Sequence, residues 1–410
     1  MIAYGFVVCR FVRTSARGRQ KKEHRLSRYR FECGKLGAGS VGLVGRIDGA
    51  RVFVMSLRGT PDWVSYLVRA GLHAPSADNS QPWQFVWDGR TLELFMHDER
   101  GKRGLGADHP ANLMALGAVI ENLSQAARAL GMPAETLQMG DASGSGCMAR
   151  AVWEHPQSPP GALPAGVQQR HTNRGPFETT ALDRRLLAEL AVMRQGPLRV
   201  AVVSEAQARE RWSGLVREAS ELRFQNEEIH RWLGDSLRFT PEEVARGDGL
   251  DVASLLLPPG GESLLRLSLD WRRMVLLNRF GGCKLFALLE AAMLKKCAAL
   301  VTVIGPASGT GVEVAAGRLL QRVWIALNEM GIAVHPYFVL PDQLHRLRTG
   351  RVAPEFVHKV RRIEAAVGEL LGSRDETVFM LLRVGVPRVA APVRSRRLPL
   401  ERSFSVLVSP

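Results

Sequence analysis

Polar groups that could bind a small molecule are concentrated in the segment His73–Phe85, which reads HAPSADNSQPWQF. Ser76, Asn79, Ser80 and Gln81 place hydroxyl and amide groups on a single turn of this segment. Such groups can satisfy the alternating hydrogen-bond donors and acceptors of a planar heterocycle. Judged by composition alone, an ordinary Asx-type turn before a strand is the simpler interpretation.

A second candidate segment is Arg170–Phe177, RHTNRGPF, in which Arg170, Thr172 and Arg174 alternate before a proline. Two guanidinium groups and a hydroxyl on one side of an extended run suit a phosphate, because arginine offers a fork of donors to its oxygens. A solvated basic loop is the alternative for any isolated pattern of this kind.

The two segments together resemble the nitroreductase superfamily. HAPSADNSQPWQF resembles the APSxxNxQPWxF signature of that family, whose loop lies against the isoalloxazine ring of flavin mononucleotide (FMN), and RHTNRGPF is similar to its RxSxR phosphate-binding motif. The resemblance implies an α+β fold, with a mixed sheet flanked by helices. It also implies that FMN carries the redox chemistry, so that no catalytic acid or base is required of the protein.

The resemblance further implies a reductant and an acceptor. Hydride would pass from NAD(P)H to the flavin and then to a nitro compound, a quinone or another conjugated small molecule. The family commonly places an arginine after its last strand to bind the flavin phosphate. Here a β-prone run, Thr377–Val384, precedes RSRRLP, so Arg396 and Arg397 are the candidates, with a basic C-terminal tail as the alternative.

The order of the motifs is inverted relative to the family, in which the phosphate motif comes first. Family members are homodimers that assemble each FMN site from both subunits. This chain has the polar loop in its first half and the phosphate motif in its second, and neither motif recurs. The arrangement is similar to the tandem, Acg-like branch of the superfamily. We therefore expect two related halves in one chain to mimic the family dimer, as a pseudo-dimeric monomer with one FMN.

Hydrophobic periodicity locates the elements that would position these motifs. Apolar spacing predicts a helix over 61–72, and Asp88-Gly89 predicts a hairpin turn between two short strands. A second stripe, from Leu113 to Leu130, predicts a long helix ending at Gly131. Strands are predicted at 198–204 and 299–305, with mostly helical sequence between them, including 209–233 and 264–296.

These elements suggest the domain organisation. We expect a basic tail, or a remnant of an upstream module, over residues 1–55, and a first half over 56–150. A polar linker is predicted at 140–166, and a second half over 165–404 with a helical lid at about 205–296. Comparison of the two best helices at an offset of 200 aligns Gly117 with Gly317 and Gly131 with Gly331. Any two amphipathic helices that end at glycine can be aligned in this way, so the expected duplication depends on the motifs as well.

Composition limits the remaining classes of function. The 410 residues carry a net charge of +15, of which about half lies before residue 31, where nine basic residues face one acidic residue. Five scattered cysteines form no CxxC pair, and the histidines form no HExxH motif, so neither a disulfide framework nor a metal site is predicted. The absence of a long apolar run and of a signal-peptide pattern predicts a cytoplasmic protein without a membrane partner.

Two other interpretations remain open at this stage. A flavin-binding protein that sequesters FMN without turnover would share the same motifs, and a basic chain could bind nucleic acid, although no nucleic-acid partner is expected. Gly37, Gly39 and Gly42 match GxGxxG, but they lack a clear preceding strand and an acidic residue at the expected distance. We therefore predict an FMN-dependent oxidoreductase.

Overall fold

The computed structural model describes residues 10–13, 29–32, 46–47, 51–54, 60–102, 106, 108–132, 137–139, 147–152, 156–307, 311–390 and 393–408. The chain folds there as an α+β structure with two principal sheets, one of seven strands and one of five. Gly37, Gly39, Gly42 and most of the basic tail lie outside the described residues. None of the described helices is long and apolar enough to cross a bilayer.

The strands are β1 (Arg10–Arg13), β2 (Tyr29–Glu32), β3 (Arg46–Ile47), β4 (Arg51–Val54), β5 (Trp83–Trp87), β6 (Thr91–Met96), β7 (Leu137–Met139), β8 (Cys147–Val152), β9 (Arg194–Gln195), β10 (Leu198–Val203), β11 (Leu237–Arg238), β12 (Leu250–Asp251), β13 (Ala299–Pro306), β14 (Ala333–Tyr337), β15 (Glu376–Gly385) and β16 (Phe404–Val408). The first sheet has the order β3-β4-β16-β5-β6-β8-β7, and the second has the order β14-β15-β13-β10-β9. β1 pairs with β2, and β11 pairs with β12.

The helices are α1 (Asp62–Leu72), α2 (Asp98–Lys102), α3 (Pro110–Ala129), α4 (Ala165–Gln169), α5 (Arg184–Ala191), α6 (Ala206–Arg223), α7 (Glu227–Ser236), α8 (Pro241–Ala245), α9 (Gly261–Ser268), α10 (Trp271–Arg279), α11 (Gly282–Lys295), α12 (Val312–Glu329), α13 (Val339–Arg348) and α14 (Val357–Leu371). α1 and α3 pack on the first sheet around one apolar core, and α12 packs on the second sheet around another. The predicted helices at 61–72 and 113–130 are therefore confirmed.

The predicted hairpin between β5 and β6 is also confirmed. Its turn holds Gly89 at a φ of +94°, a conformation that glycine adopts without steric cost. The Asp88 carboxylate accepts hydrogen bonds from the backbone N–H groups of Arg90 at 2.9 Å and Thr91 at 2.6 Å. This turn fixes the register in which Trp87 faces Leu92.

Three boundaries differ from the sequence-based expectation. The predicted linker contains β8, which pairs with β6 and β7, because small and alternating side chains fit a strand despite the surrounding glycines and serines. β4 precedes the expected start of the fold at Ser56 and pairs with β16. Neither predicted lid helix is continuous: the Asn226 side chain caps a new helix, α7, and Gly281 separates α10 from α11.

α3 and α12 cross at two glycines in a reciprocal manner. A β-carbon on Gly117 would overlap the backbone carbonyl of Val314, and one on Gly317 would overlap the carbonyl of Met114. The two helices can approach this closely only because glycine has no side chain. Each helix therefore offers the other the same kind of contact, as the two partners of a symmetric dimer do.

The C-terminal segment leaves the second sheet and returns to the first. After β15 ends at Gly385, the chain continues to β16, which lies between β4 and β5 and pairs with β5 in parallel, with Phe404 beside Phe85. We call residues 386–403 the C-terminal arm. The arm was not anticipated from the sequence, and it carries the arginines of RSRRLP from the second sheet to the first.

Candidate functional site

A cavity of about 940 Å³ lies where three distant chain segments meet. These are the polar loop that follows α1, the segment that begins at Arg170, and the C-terminal arm. Small-molecule sites in proteins usually enclose about 300–1,000 Å³, so this cavity is at the large end of that range. Helices within residues 205–296, the predicted lid, form much of the remaining wall.

The polar loop is held in an unusual backbone conformation. Asp78, Asn79 and Gln81 have positive φ angles of 42°, 57° and 50°. The left-handed region is unfavourable for residues with a side chain, and it persists where surrounding contacts enforce it, often at functional sites. One such contact is the Ser76 hydroxyl, which accepts a hydrogen bond of 3.0 Å from the Gln81 backbone N–H.

The amide groups of Asn79 and Gln81 are engaged by the protein itself. Asn79 Nδ2 donates to the carbonyls of Gly249 at 2.9 Å and Arg396 at 2.8 Å, and its Oδ1 accepts from the Arg397 guanidinium. Gln81 Nε2 donates to the carbonyl of Gly247 in the predicted lid at 2.8 Å, and its Oε1 accepts from the backbone N–H of Leu398 at 3.0 Å. Both side chains therefore fasten the loop to the lid and to the arm.

The segment at Arg170 is anchored on α12. The indole Nε1 of Trp324 donates to the carbonyl of His171 at 2.9 Å, and the Asn328 side chain accepts from the His171 N–H at 2.9 Å. The Arg170 guanidinium lies 4.8 Å from the centre of the Trp324 ring and donates to the carbonyl of His73 at 3.2 Å. Its Nε is buried and has no hydrogen-bond partner among the described residues.

Arg170, Arg394 and Arg397 form a cationic cluster at this end of the cavity. Burial, with smaller effects of Arg397 and Arg394, lowers the pKa of Arg170 well below its usual range, and burial lowers the pKa of Arg397 to about 10. No carboxylate in the described ranges forms an ion pair with any of the three arginines. Arg170 is buried, Arg397 is partly buried and Arg394 is exposed. A buried cation without a counter-charge is costly, so the surroundings of Arg170 favour an anionic ligand.

The pKa values of two histidines, His73 and His171, are lowered in part by the same arginines. Burial, followed by Arg397, Arg170 and Arg394, lowers the pKa of His73 to about 4. Burial is also the main reason that the pKa of His171 is lowered. Both imidazoles are therefore neutral near pH 7, and they add no charge that would oppose a bound anion.

Arg174 has different charged neighbours from Arg170, although both side chains line the cavity. Burial lowers the pKa of Arg174, while Asp78 and Tyr337 oppose that change. Burial likewise raises the pKa of Asp78, against the effects of Arg174 and Arg223. The charged neighbour of Arg174 is thus Asp78 of the polar loop, and Arg174 is not a member of the cationic cluster.

The cavity contains some but not all of the residues that the sequence nominated. Those that line it are Ser76, Asn79, Arg170, Thr172, Arg174 and Arg397. Ser80, Gln81 and Arg396 are not part of the described lining, and the Arg396 side chain is exposed. Arg394 also lines the cavity and was missed, because no sequence signal shows which arginine of RSRRLP reaches the cavity.

The remaining walls are largely apolar. The lid contributes side chains such as Phe224, Trp232, Leu233 and Phe286, while β14 contributes His335, which was given no role from the sequence. Burial lowers the pKa of His335 well below its usual range. The cavity therefore combines one cationic end with an apolar chamber from which water is easily excluded.

Comparisons with known protein families and with curated protein sequences found no match. Among solved structures, the FMN-dependent nitroreductase NfnB from Mycobacterium smegmatis, in complex with NADPH, is 18% identical with a TM-score of 0.33, and the match covers 58% of this chain and 94% of that one. A nitroreductase with bound FMN from Bacteroides fragilis is 10% identical with a TM-score of 0.31, covering 57% and 92%. A nitroreductase-like family protein from Bacillus cereus is 13% identical with a TM-score of 0.31, covering 60% and 96%. Similarities this low do not transfer a cofactor or an activity to this chain.

Proposed function

We propose that the protein is an FMN-dependent oxidoreductase that uses NAD(P)H to reduce a small conjugated acceptor. The observation that carries the proposal is the convergence of the polar loop, the Arg170 segment and the C-terminal arm around one cavity. The first two segments resemble flavin-binding motifs, and they lie about 100 residues apart in the sequence. Two unrelated loops would not be expected to meet at a common pocket.

The cationic cluster fits the phosphate of FMN. Arg170 and Arg397 are held by backbone carbonyls and by Asn79, so their guanidinium groups are already oriented before a ligand binds. The Nε of Arg170 is buried without a hydrogen-bond partner among the described residues, so the protein satisfies this guanidinium only in part. A phosphate would provide the missing counter-charge and accept charge-assisted hydrogen bonds, which are roughly twice as strong as neutral ones.

The ring end of the site would be formed by Ser76, Thr172 and Arg174 together with the backbone of the polar loop. Asn79 was predicted to contact the ring, but its amide hydrogen bonds favour a different role, in which it positions both the loop and Arg397. Arg174 would then face the polar edge of the heterocycle instead of the phosphate. In this assignment, Asp78 is the charged neighbour of Arg174 when no ligand is present, and it opposes the lowering of the Arg174 pKa by burial.

The chain would supply position and exclusion of water, while bound flavin would supply the hydride-transfer chemistry. The apolar lid side chains Phe224, Trp232 and Phe286 would keep solvent from the reacting face. Since the cavity is at the large end of the usual range, it leaves space for a planar acceptor or a nicotinamide beside the cofactor. We assign no catalytic acid or base.

We further propose that residues 56–150 and 165–404 derive from the two subunits of an ancestral dimer, with residues 205–296 as the lid. The reciprocal glycine contacts of α3 and α12 support this, as does the return of β16 to the first sheet. Each half contributes one signature segment to the cavity. The expected stoichiometry is therefore one FMN per chain.

The decisive experiment is the absorption spectrum of the purified full-length protein, followed by anaerobic addition of NADPH. Flavin absorbance at one equivalent per chain, bleached by NADPH and restored by a quinone or nitro compound, would support the proposal. Bound flavin that neither NADPH nor NADH can bleach would instead identify a protein that sequesters FMN. Failure to bind added FMN would overturn both alternatives.

A further inference from the structure

Exposed apolar side chains are grouped on α10 and α11, and most of them lie outside the described cavity lining. Leu276, Phe280, Leu285, Leu288 and Leu289 are all more than half exposed, and Phe280 is 86% exposed. We call these five residues the lid face. Contiguous apolar surface of this kind usually marks a site of interaction, because isolated exposed side chains are ordinary but grouped ones are not.

The position of the lid face on its helices is not explained by packing within the fold. α11 buries Cys283, Ala287 and Ala291, which follow one another at intervals of four residues. The opposite side of a surface helix is normally polar, yet here it carries Leu285, Leu288 and Leu289. The helix is thus apolar on both sides, and its outer side needs a partner.

Basic side chains flank the lid face. Arg272, Arg273, Arg279 and Lys284 are exposed, and none of them forms an ion pair with a described residue. The carboxylates of the same segment are engaged: Glu262 pairs with Arg266, Asp270 caps α10 and Glu290 pairs with Arg223. The surface therefore offers apolar groups and free positive charge, without free negative charge.

We propose that the lid face docks on an anionic lipid bilayer. Helices that lie in a membrane interface combine Phe and Leu on one side with Lys and Arg at its border, and this is the composition of α10 and α11. Such contact needs no spanning helix, so it is compatible with the prediction that no segment crosses a membrane. It departs from the sequence-based expectation that the protein has no membrane partner.

A second copy of the chain fits this surface less well. A symmetric contact would bring Arg272, Arg273, Arg279 and Lys284 of one copy close to the same residues of the other, and like charges in apposition weaken an interface. Anionic headgroups complement those four cations directly.

The docking surface is continuous with the cavity. Leu289 belongs to the lid face and also lines the cavity. The partly exposed Leu257 and Leu264, which are not part of the lid face, line the cavity too. A bilayer bound at the lid face would therefore adjoin the apolar end of the pocket. The docking itself is independent of the proposed flavin chemistry, because none of the cationic residues at the lid face belongs to the cationic cluster.

The test is cosedimentation of the full-length protein with vesicles of phosphatidylglycerol and phosphatidylcholine, compared with vesicles of phosphatidylcholine alone. We expect binding to the anionic vesicles only, weakened by added salt. Phe280→Asp should abolish it. Replacing Arg272, Arg273, Arg279 and Lys284 by Gln should weaken it by roughly three orders of magnitude, since each basic residue near an anionic surface contributes about a fivefold gain.

Met330→Asp is the matched control, since Met330 is 64% exposed but lies outside the lid, and this variant should bind vesicles like the wild type. FMN content should be unchanged in Phe280→Asp, which separates failure of docking from failure of the flavin proposal. Equal binding to both vesicle types, or to neither, would overturn the inference. So would concentration-dependent dimerisation that Phe280→Asp abolishes, because the lid face would then join two copies of the chain.

Discussion

Replacing Arg170 by Met tests the proposed cofactor role of the cationic cluster separately from any structural role. Arg170 is buried against Trp324 and shares its surroundings with two further arginines and no carboxylate among the described residues. Methionine is shorter than arginine but matches its unbranched stem as far as Nε, so the packing of the stem should be kept. The variant removes mainly the charge and the hydrogen bonds of the guanidinium group.

The expected effects on affinity and stability have opposite signs. A hydrogen bond to a charged group contributes about 1.5–3 kcal/mol, and about 1.4 kcal/mol corresponds to a tenfold change, so FMN affinity should fall by roughly one to two powers of ten. Without FMN, the Tm should stay equal or rise, because the substitution relieves repulsion from Arg394 and Arg397 and removes an uncompensated buried cation.

Fluorescence titration with FMN and with riboflavin provides the assay, and thermal unfolding of the flavin-free protein provides the stability measurement. Riboflavin lacks the phosphate, so it should bind wild type and Arg170→Met equally. Arg396→Met is the matched control, because that side chain is exposed and outside the described cavity lining. If Arg170→Met bound FMN as tightly as wild type, the cluster would not be the phosphate site, and Arg174 would be the next candidate.

Four further outcomes are expected. Arg174→Ala should weaken FMN and riboflavin alike, by about tenfold for one charged hydrogen bond, whereas loss of FMN affinity alone would return Arg174 to the phosphate. Gly117→Ala should lower the Tm by several degrees because a β-carbon there overlaps an opposing backbone carbonyl, while Gly214→Ala, in an open helical position, should be neutral or stabilising in the same unfolding assay. The pKa of His73 is about 4 in the folded protein, so the unfolded chain takes up a proton at this histidine at a higher pH than the folded chain does. The free energy of unfolding of the flavin-free protein should therefore decrease as the pH falls from 6.5 to 4. Urea titrations at several pH values should show a weaker pH dependence for His73→Asn. Deletion of residues 1–45 should leave the Kd for FMN unchanged, since the described cavity lining begins at His73, and a weaker complex from a folded deletion variant would contradict this.

The local elements of the fold were accessible from sequence because their causes are local. The spacing of apolar residues located α1 and α3, and Asp88-Gly89 located the β5-β6 turn, since periodicity and turn chemistry act over a few residues. β8 was hidden in a stretch rich in glycine and serine. The break at Asn226 was missed because capping depends on one side chain, and an amphipathic pattern can continue across it.

The sequence by itself determined which segments of this protein carry the polar and basic groups that line the cavity: the polar loop, the Arg170 segment and the arginines near the C-terminus. Only the tertiary structure decided what their side chains do. The path of the C-terminal arm places Arg394 and Arg397 in the cavity and leaves Arg396 outside its described lining, and it turns the amide of Asn79 toward the protein. The charges around a buried arginine depend on residues that are distant in the sequence: Arg394 is a charged neighbour of Arg170 although it lies more than 200 positions away. Residue type and spacing record the donors and charges that a chain possesses, but burial and long-range contacts determine which of them remain free for a ligand.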